Sequence, residues 1–183
     1  MRILVACEFS GVVRSAFERI GHDAWSCDIL PAEDGGCHLQ GDVLTYLDLG
    51  WDLMVAHPPC TYLCASGARW WKQRQYEQAL GLYFVRLLMA APIPRIAIEN
   101  PVGRISKAIR KPDQIIQPWQ FGHGEVKTTC LWLKGLPKLE STQIVYGREQ
   151  KCWKQSHHPE RWKRRSRTYE GIALAMAEQW GKA

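Results

Sequence analysis

Pro58-Pro59-Cys60 places a thiol where regular structure has to stop. Each proline lacks an N–H and fixes its φ, so neither belongs inside a helix or a central strand. A cysteine at such a forced exit is a candidate nucleophile on a stiff support. The bland alternative is a small buried hydrophobe, although buried packing is hard to arrange beside two prolines. Cys64 reads as a packing residue, with a resolving thiol as the redox alternative. Glu99-Asn100-Pro101 ends a wholly apolar run. A carboxylate there is costly without a partner, so Glu99 is an acid–base group or a strand-end acid meeting solvent. In Glu8-Phe9-Ser10-Gly11, the glycine would let backbone approach a ligand at a helix N-terminus. Asp28 suits a ribose diol, whose two hydroxyls a carboxylate can accept, or it caps a loop. Asp42 caps a short helix or accepts from an adenine amino group.

The elements around these residues explain their grouping. Residues 1–7 (MRILVAC) form a β-branched apolar run that predicts a buried strand. Val12, Val13, Ala16, Phe17 and Ile20 follow at helical spacing, with Gly21 as terminator. AWSCDIL predicts a second strand ending at Asp28, PAEDGGCHLQ a polar loop, and GDVLTYL a turn with a short helical piece. WDLMVAH predicts a third buried strand that leads into the prolines. Residues 72–90 predict an amphipathic helix with Tyr76, Leu80, Tyr83, Phe84, Leu87 and Leu88 as its apolar stripe. RIAIEN predicts a fourth buried strand.

Strands and helices thus alternate as in right-handed βαβ units, which implies a mostly parallel α/β sheet with helices on both faces. Ligands bind such sheets at the carboxyl ends of the strands, where all four polar signals fall. Beyond Pro101 the pattern loosens. TTCLWLKG reads as a strand that could run antiparallel, residues 151–167 as a long basic loop, and GIALAMAEQWG as a terminal helix.

The chain has 183 residues, is 46% hydrophobic and 23% charged, and carries a net charge of +6. This predicts one domain with a real core and favours a polyanionic partner. Seven scattered cysteines without a secretion signal point to reduced thiols. No apolar run is long enough for a membrane span, so the expectation is a soluble protein of the cytoplasm. Of the nine tryptophans, some belong to the core and others offer flat surfaces for stacking.

Taken together, Phe9-Ser10-Gly11, Asp28, Gly41-Asp42, Pro58-Pro59-Cys60 and Glu99-Asn100 resemble, in order, the landmarks of the DNA cytosine-5 methyltransferase family. The match covers about residues 3–101, and RTYEGIALAMAEQWG resembles the family's last cofactor-side helix. The chain looks like the short members common in bacteriophage genomes, which implies the cytoplasm of a bacterial host. The resemblance implies a Rossmann-like S-adenosylmethionine-dependent methyltransferase fold. Glu8, Phe9, Ser10, Gly11, Asp28, Asp42 and Pro58 would hold S-adenosylmethionine. Cys60 would attack ring carbon 6 of cytosine, Glu99 would protonate the ring nitrogen 3 edge, and Asn100 would position the loop. The target base would leave the duplex stack to reach the thiol.

The chain departs from the family at four places. Val13 and Arg14 stand where further glycines are usual, and His57 where a small residue is common. Lys127-Thr128-Thr129-Cys130 replaces an arginine-rich strand. The region of about 101–167 is an irregular, reduced target-recognition region. Lys127, Arg161, Lys163, Arg164, Arg165 and Arg167 would contact DNA phosphates, with Trp153 and Trp162 interleaved for stacking. Specificity is then short or absent, or a homodimer or an accessory partner supplies it.

Two rivals stand beside this reading. One is a related pyrimidine-modifying enzyme acting on another substrate or on a free nucleotide. The other is a binding module without activity, with Cys27, Cys37, His38, Cys152, His157 and His158 as zinc ligands. No pair of these has the close Cys-x-x-Cys spacing of a structural site, and no metal is expected.

Overall fold

After Arg2, every residue of the first strand, β1 (Arg2–Ala6), is apolar, as a strand covered on both faces requires. The computed structural model describes residues 1–150 and 160–182. The chain continues through α1 (Val12–Arg19), β2 (Asp23–Asp28), β3 (His38–Gln40), β4 (Leu53–Ala56), α2 (Gln75–Met89) and β5 (Arg95–Pro101). It then forms α3 (Ile105–Ala108), β6 (Gln114–Ile116), β7 (Thr129–Lys134), α4 (Arg161–Ser166) and α5 (Glu170–Trp180). The strands make one seven-stranded sheet in the order β3-β2-β1-β4-β5-β7-β6. The first five in that order are parallel, and β7 runs antiparallel to both of its neighbours.

Successive strand residues point to opposite faces and so divide the core in two. Ile3, Val5, Leu53, Val55, Ala97 and Leu131 pack with Phe17 of α1 and with Ile172, Met176 and Trp180 of α5. Leu4, Ala6, Met54, Ala56, Ile98 and Trp132 pack with Leu82, Val85 and Leu88 of α2. Helices therefore cover both faces, as the alternating pattern predicts. Strand order reverses between β1 and β4, which opens a crevice at their carboxyl ends. Trp51, Trp132 and Trp180 are buried and Trp70 and Trp162 exposed. Among the described residues, no helix is long and apolar enough to cross a membrane.

Four sequence expectations need correction. Residues 38–40, read as loop, pair with β2 as an edge strand. In the region 101–167, β7 forms at TTCLWLKG and runs antiparallel as expected, but the stretch read as irregular also contributes β6, which pairs with it at the sheet's edge. The basic stretch read as loop is helical over Arg161–Ser166, and residues 151–159, including Trp153, lie outside the described residues. The largest difference is the face of α2. Tyr76, Leu80 and Tyr83 are exposed, while Gln78, Leu82, Val85 and Leu88 are buried. The helix is apolar nearly all round, and the polar Gln78 hides the true stripe. Its amide donates to the carbonyl of Trp71 at 2.9 Å, so it is buried with a partner.

Candidate functional site

β4 ends at Ala56, and Pro58-Pro59 then turns the chain out of the sheet. Asn100, at the end of neighbouring β5, donates its side-chain amide to the carbonyl of Pro58 at 2.7 Å. The carbonyl of Cys60 accepts from the amides of Leu63 and Cys64, at 3.0 and 2.8 Å. The following loop is stitched to the segment after β5, with Ala65 donating to Val102 and Arg104 to Leu63, both at 2.8 Å. Gly103 makes this approach possible, because a Cβ there would overlap the carbonyl oxygen of Leu63. The thiol thus stands on a support tied at one end to β5 and at the other to the segment that follows it.

Cys60 is exposed by surface area, while the protein packed around it still desolvates the thiol. Burial, followed by the neighbouring Cys64 and Glu99, pushes its thiol up to about 11, while Lys127 pulls the other way. Glu99 lies 3.0 Å, through Oε2, from Nδ1 of His57. Burial would raise the Glu99 carboxyl, but the hydrogen bond and charge of His57, with help from Lys127, hold it below its usual range. Cys60, Glu99, Lys127 and His57 therefore form one electrostatically coupled group. Sequence reading places Lys127 among the DNA contacts, and in the structure its charge also acts on the thiol and carboxylate. That reading notes His57 only as a departure from the family pattern before the two prolines, and the structure sets its ring against Glu99.

The other acidic signals gather across the crevice. Asp28 accepts from the amide of Leu30 and Asp42 from that of Leu44, both at 3.0 Å. Burial of the Cys7 thiol, and then the charges of Asp28, Cys27 and Asp42, raise it strongly. Asp28 and Asp42 therefore converge at the β1 end. Burial raises the Asp28 carboxyl, against the amides of Leu30 and Ile29 and the charge of His38. Glu8 is buried and accepts from the amides of Val13 at 2.7 Å and Arg14 at 3.2 Å, capping α1. Burial raises the Glu8 carboxyl despite those amides and the charge of His57. Gly11 takes the left-handed conformation at φ 72°, and Asp34 and Arg14 close over it. Phe9 packs against Trp162 of α4, with ring centroids 5.8 Å apart.

Most of the expected DNA contacts lie on or beside α4. Arg164 and Arg165 line a cavity of about 190 Å³ together with Lys127, Arg167, Glu125, Thr168 and Tyr169. Lys127 also donates to the carbonyl of Arg165 at 2.9 Å. Arg167 pairs with Glu33, Lys163 lies 3.4 Å from Glu160, and Arg161 is half-buried. A second cationic surface follows Cys60, where Arg69, Arg74 and Arg104 lie over the rings of Trp70, Tyr62 and Trp71. Its signal in the sequence is the run ARWWKQR, of which the helix reading over 72–90 takes only the last three residues. Among the described residues, no three His, Cys, Asp or Glu side chains group to hold a metal. Cys152, His157 and His158 lie outside those residues.

No family model and no curated protein matches the chain. Solved structures do. An Entamoeba histolytica methyltransferase aligns at TM-score 0.54 and 18% identity, over 79% of this chain and 57% of that one. The S. pombe Dnmt2 methyltransferase aligns at TM-score 0.52 and 16% identity, over 75% and 51%. An E. coli prophage protein described as a DNA modification methyltransferase aligns at TM-score 0.51 and 14% identity, over 80% and 52%. This chain spans about half the length of the structures it matches. At these identities the likeness is one of fold, and the chain has the Rossmann-like α/β fold of S-adenosylmethionine-dependent methyltransferases.

Proposed function

We propose that this chain transfers a methyl group from S-adenosylmethionine to carbon 5 of cytosine in DNA, through a covalent adduct on Cys60. The observation that carries this reading is the tied pair of strand ends. Asn100 fixes the support of Cys60 through Pro58, and Glu99, the preceding residue of the same strand, is coupled to the thiol.

The crevice residues fit the cofactor's adenosine half. Asp28 and Asp42 converge at the carboxyl end of β1, where a ribose diol and an adenine amino group need acceptors. Phe9, Ser10, Gly11 and Pro58 flank that crevice, and Glu8 holds the turn through the amides of α1. Bound S-adenosylmethionine supplies an electrophilic methyl group.

The residues account for the remaining chemistry. Carbon 5 of cytosine is a poor nucleophile until a thiolate adds at carbon 6. The Cys60 sulfur forms that bond, and the ring electrons pass toward nitrogen 3. Glu99, ionised at rest, takes the thiol proton and delivers it to nitrogen 3. The enamine then takes the methyl group at carbon 5. Loss of the carbon 5 proton to solvent and departure of Cys60 return nitrogen 3 and the thiol to their starting states. The cationic surfaces beside Cys60 and on α4 suit a phosphate backbone and stacked bases.

DNA containing 5-fluorocytosine tests the scheme, because fluorine at carbon 5 blocks the final elimination. The wild-type protein with S-adenosylmethionine should form a covalent complex that survives denaturation. Cys60→Ser should form none, while its cofactor affinity by calorimetry stays unchanged. Full activity in that variant would remove Cys60 from the nucleophile's role.

A further inference from the structure

His57 is 9% exposed, and its two ring nitrogens have different surroundings. Nδ1 meets Oε2 of Glu99 at 3.0 Å. Nε2 is buried and, among the described residues, has no hydrogen-bond partner. A buried polar atom without a partner is uncommon and costs stability, so this ring is held in place at some expense. Two features hold it. The His57 amide donates to the carbonyl of Ala6 at 2.9 Å, which fixes the backbone to β1. The Glu99 carboxyl, acceptor-only when ionised, fixes the ring and places its hydrogen on Nδ1. The titratable and charged groups facing the pair are Glu8 from the turn after β1, Lys127 from the segment before β7, Cys130 from β7 and Cys60 from the loop after β4.

From this arrangement we infer that His57 is a positioning residue for Glu99. Its Nδ1–H holds Oε2, turns the other carboxylate oxygen toward the thiol and the pyrimidine, and keeps the carboxyl ionised in a buried place. The inference rests on the reading of Glu99 as the group that moves the thiol proton to the ring. A protonated Glu99 could not take that proton. Without the His57 hydrogen bond, burial would dominate and the carboxyl would titrate at higher pH. No proton leaves His57 in this scheme. A side chain that keeps a donor at the Nδ1 position serves in its place.

The test compares wild type, His57→Asn and His57→Ala in two measurements. The first is the rate of covalent trapping on 5-fluorocytosine DNA as a function of pH. The second is the titration of Glu99, followed by NMR of carbon-13-labelled glutamate side chains. His57→Ala should trap about 10- to 100-fold more slowly at neutral pH, the range set by one hydrogen bond to a charged group. Its acid limb should move to higher pH, and Glu99 should titrate higher with it. His57→Asn, whose amide N–H stands near Nδ1, should recover most of the rate and of the titration. Calorimetry with S-adenosylmethionine should give equal affinity for all three, which confirms that each is folded. Wild-type trapping rates in His57→Ala, or an unmoved Glu99 titration, would overturn the inference. Should wild type itself fail to trap, the methyl-transfer reading falls and the Glu99 titration alone decides the coupling to His57.

Discussion

At neutral pH the resting Cys60 is a thiol, because burial, Cys64 and Glu99 push it up to about 11. Only the thiolate attacks, so its reaction with a small alkylating agent should climb about tenfold per pH unit until near that value. The two charged neighbours act with opposite signs. Glu99→Gln removes a charge that raises the thiol and should speed alkylation at pH 8. Lys127→Met removes one that lowers it and should slow alkylation. Mass spectrometry of the Cys60 peptide separates this thiol from Cys37, which is also exposed. A rate that levels off by pH 8 would mean that the resting site already holds a thiolate, leaving Glu99 no proton to carry. His57 and Lys127 matter in this balance, and neither role was legible in the sequence. Pro-Pro-Cys and Glu-Asn announce themselves by type and spacing. A lone histidine or lysine does not, because its role arises only when β4, β5 and the segment before β7 meet.

Gly103 shows the same limit at the scale of elements. Its φ is unremarkable and nothing local asks for glycine. The requirement comes from the carbonyl of Leu63, against which a Cβ would collide. Gly103→Ala should therefore separate the loop after Cys60 from the end of β5 and loosen the backbone bonds at Ala65 and Arg104. Small-to-large changes in packed places cost about 1–3 kcal/mol, which thermal melting would register. Trapping on 5-fluorocytosine DNA should fall at least tenfold, while S-adenosylmethionine affinity holds, because Asp28 and Asp42 lie across the crevice. Unchanged trapping would show that this stitch does not hold the thiol. The parallel core was legible because β1, β4 and β5 are apolar on both faces. Strands of three residues, β3 and β6, carry no period to read. The face of α2 was misread because its exposed side carries Tyr76, Leu80 and Tyr83.

At the scale of the whole molecule, the cationic α4 packs beside the turn after β1 through Trp162 on Phe9. Arg164 and Arg165 line a cavity with Lys127, whose charge also lowers the Cys60 thiol and the Glu99 carboxyl. Arg167 and Lys163 have carboxylate neighbours in Glu33 and Glu160, which leaves Arg164 and Arg165 as the expected main phosphate contacts of α4. Phosphate contacts set position and carry no sequence information. Direct base readout needs several well-held side chains, each bidentate pair contributing about 1–3 kcal/mol. Among the described residues, the segments between β5, β7 and α4 hold only the short α3, a single helical turn at Pro118–Gln120 and the three-residue β6. This chain by itself should bind DNA with weak specificity and methylate cytosine in a context of about one or two flanking bases, as judged by bisulfite sequencing after expression. Replacing Arg164 and Arg165 by Gln should lower affinity across all sequences by a similar factor. It should also flatten the dependence of log affinity on log salt by about one per lost phosphate contact. Cofactor affinity should stay level, because Trp162, the α4 residue packed on Phe9, is untouched. A variant that lost affinity for one sequence and kept it for others would place α4 against base edges, and the short-context expectation would fall with it.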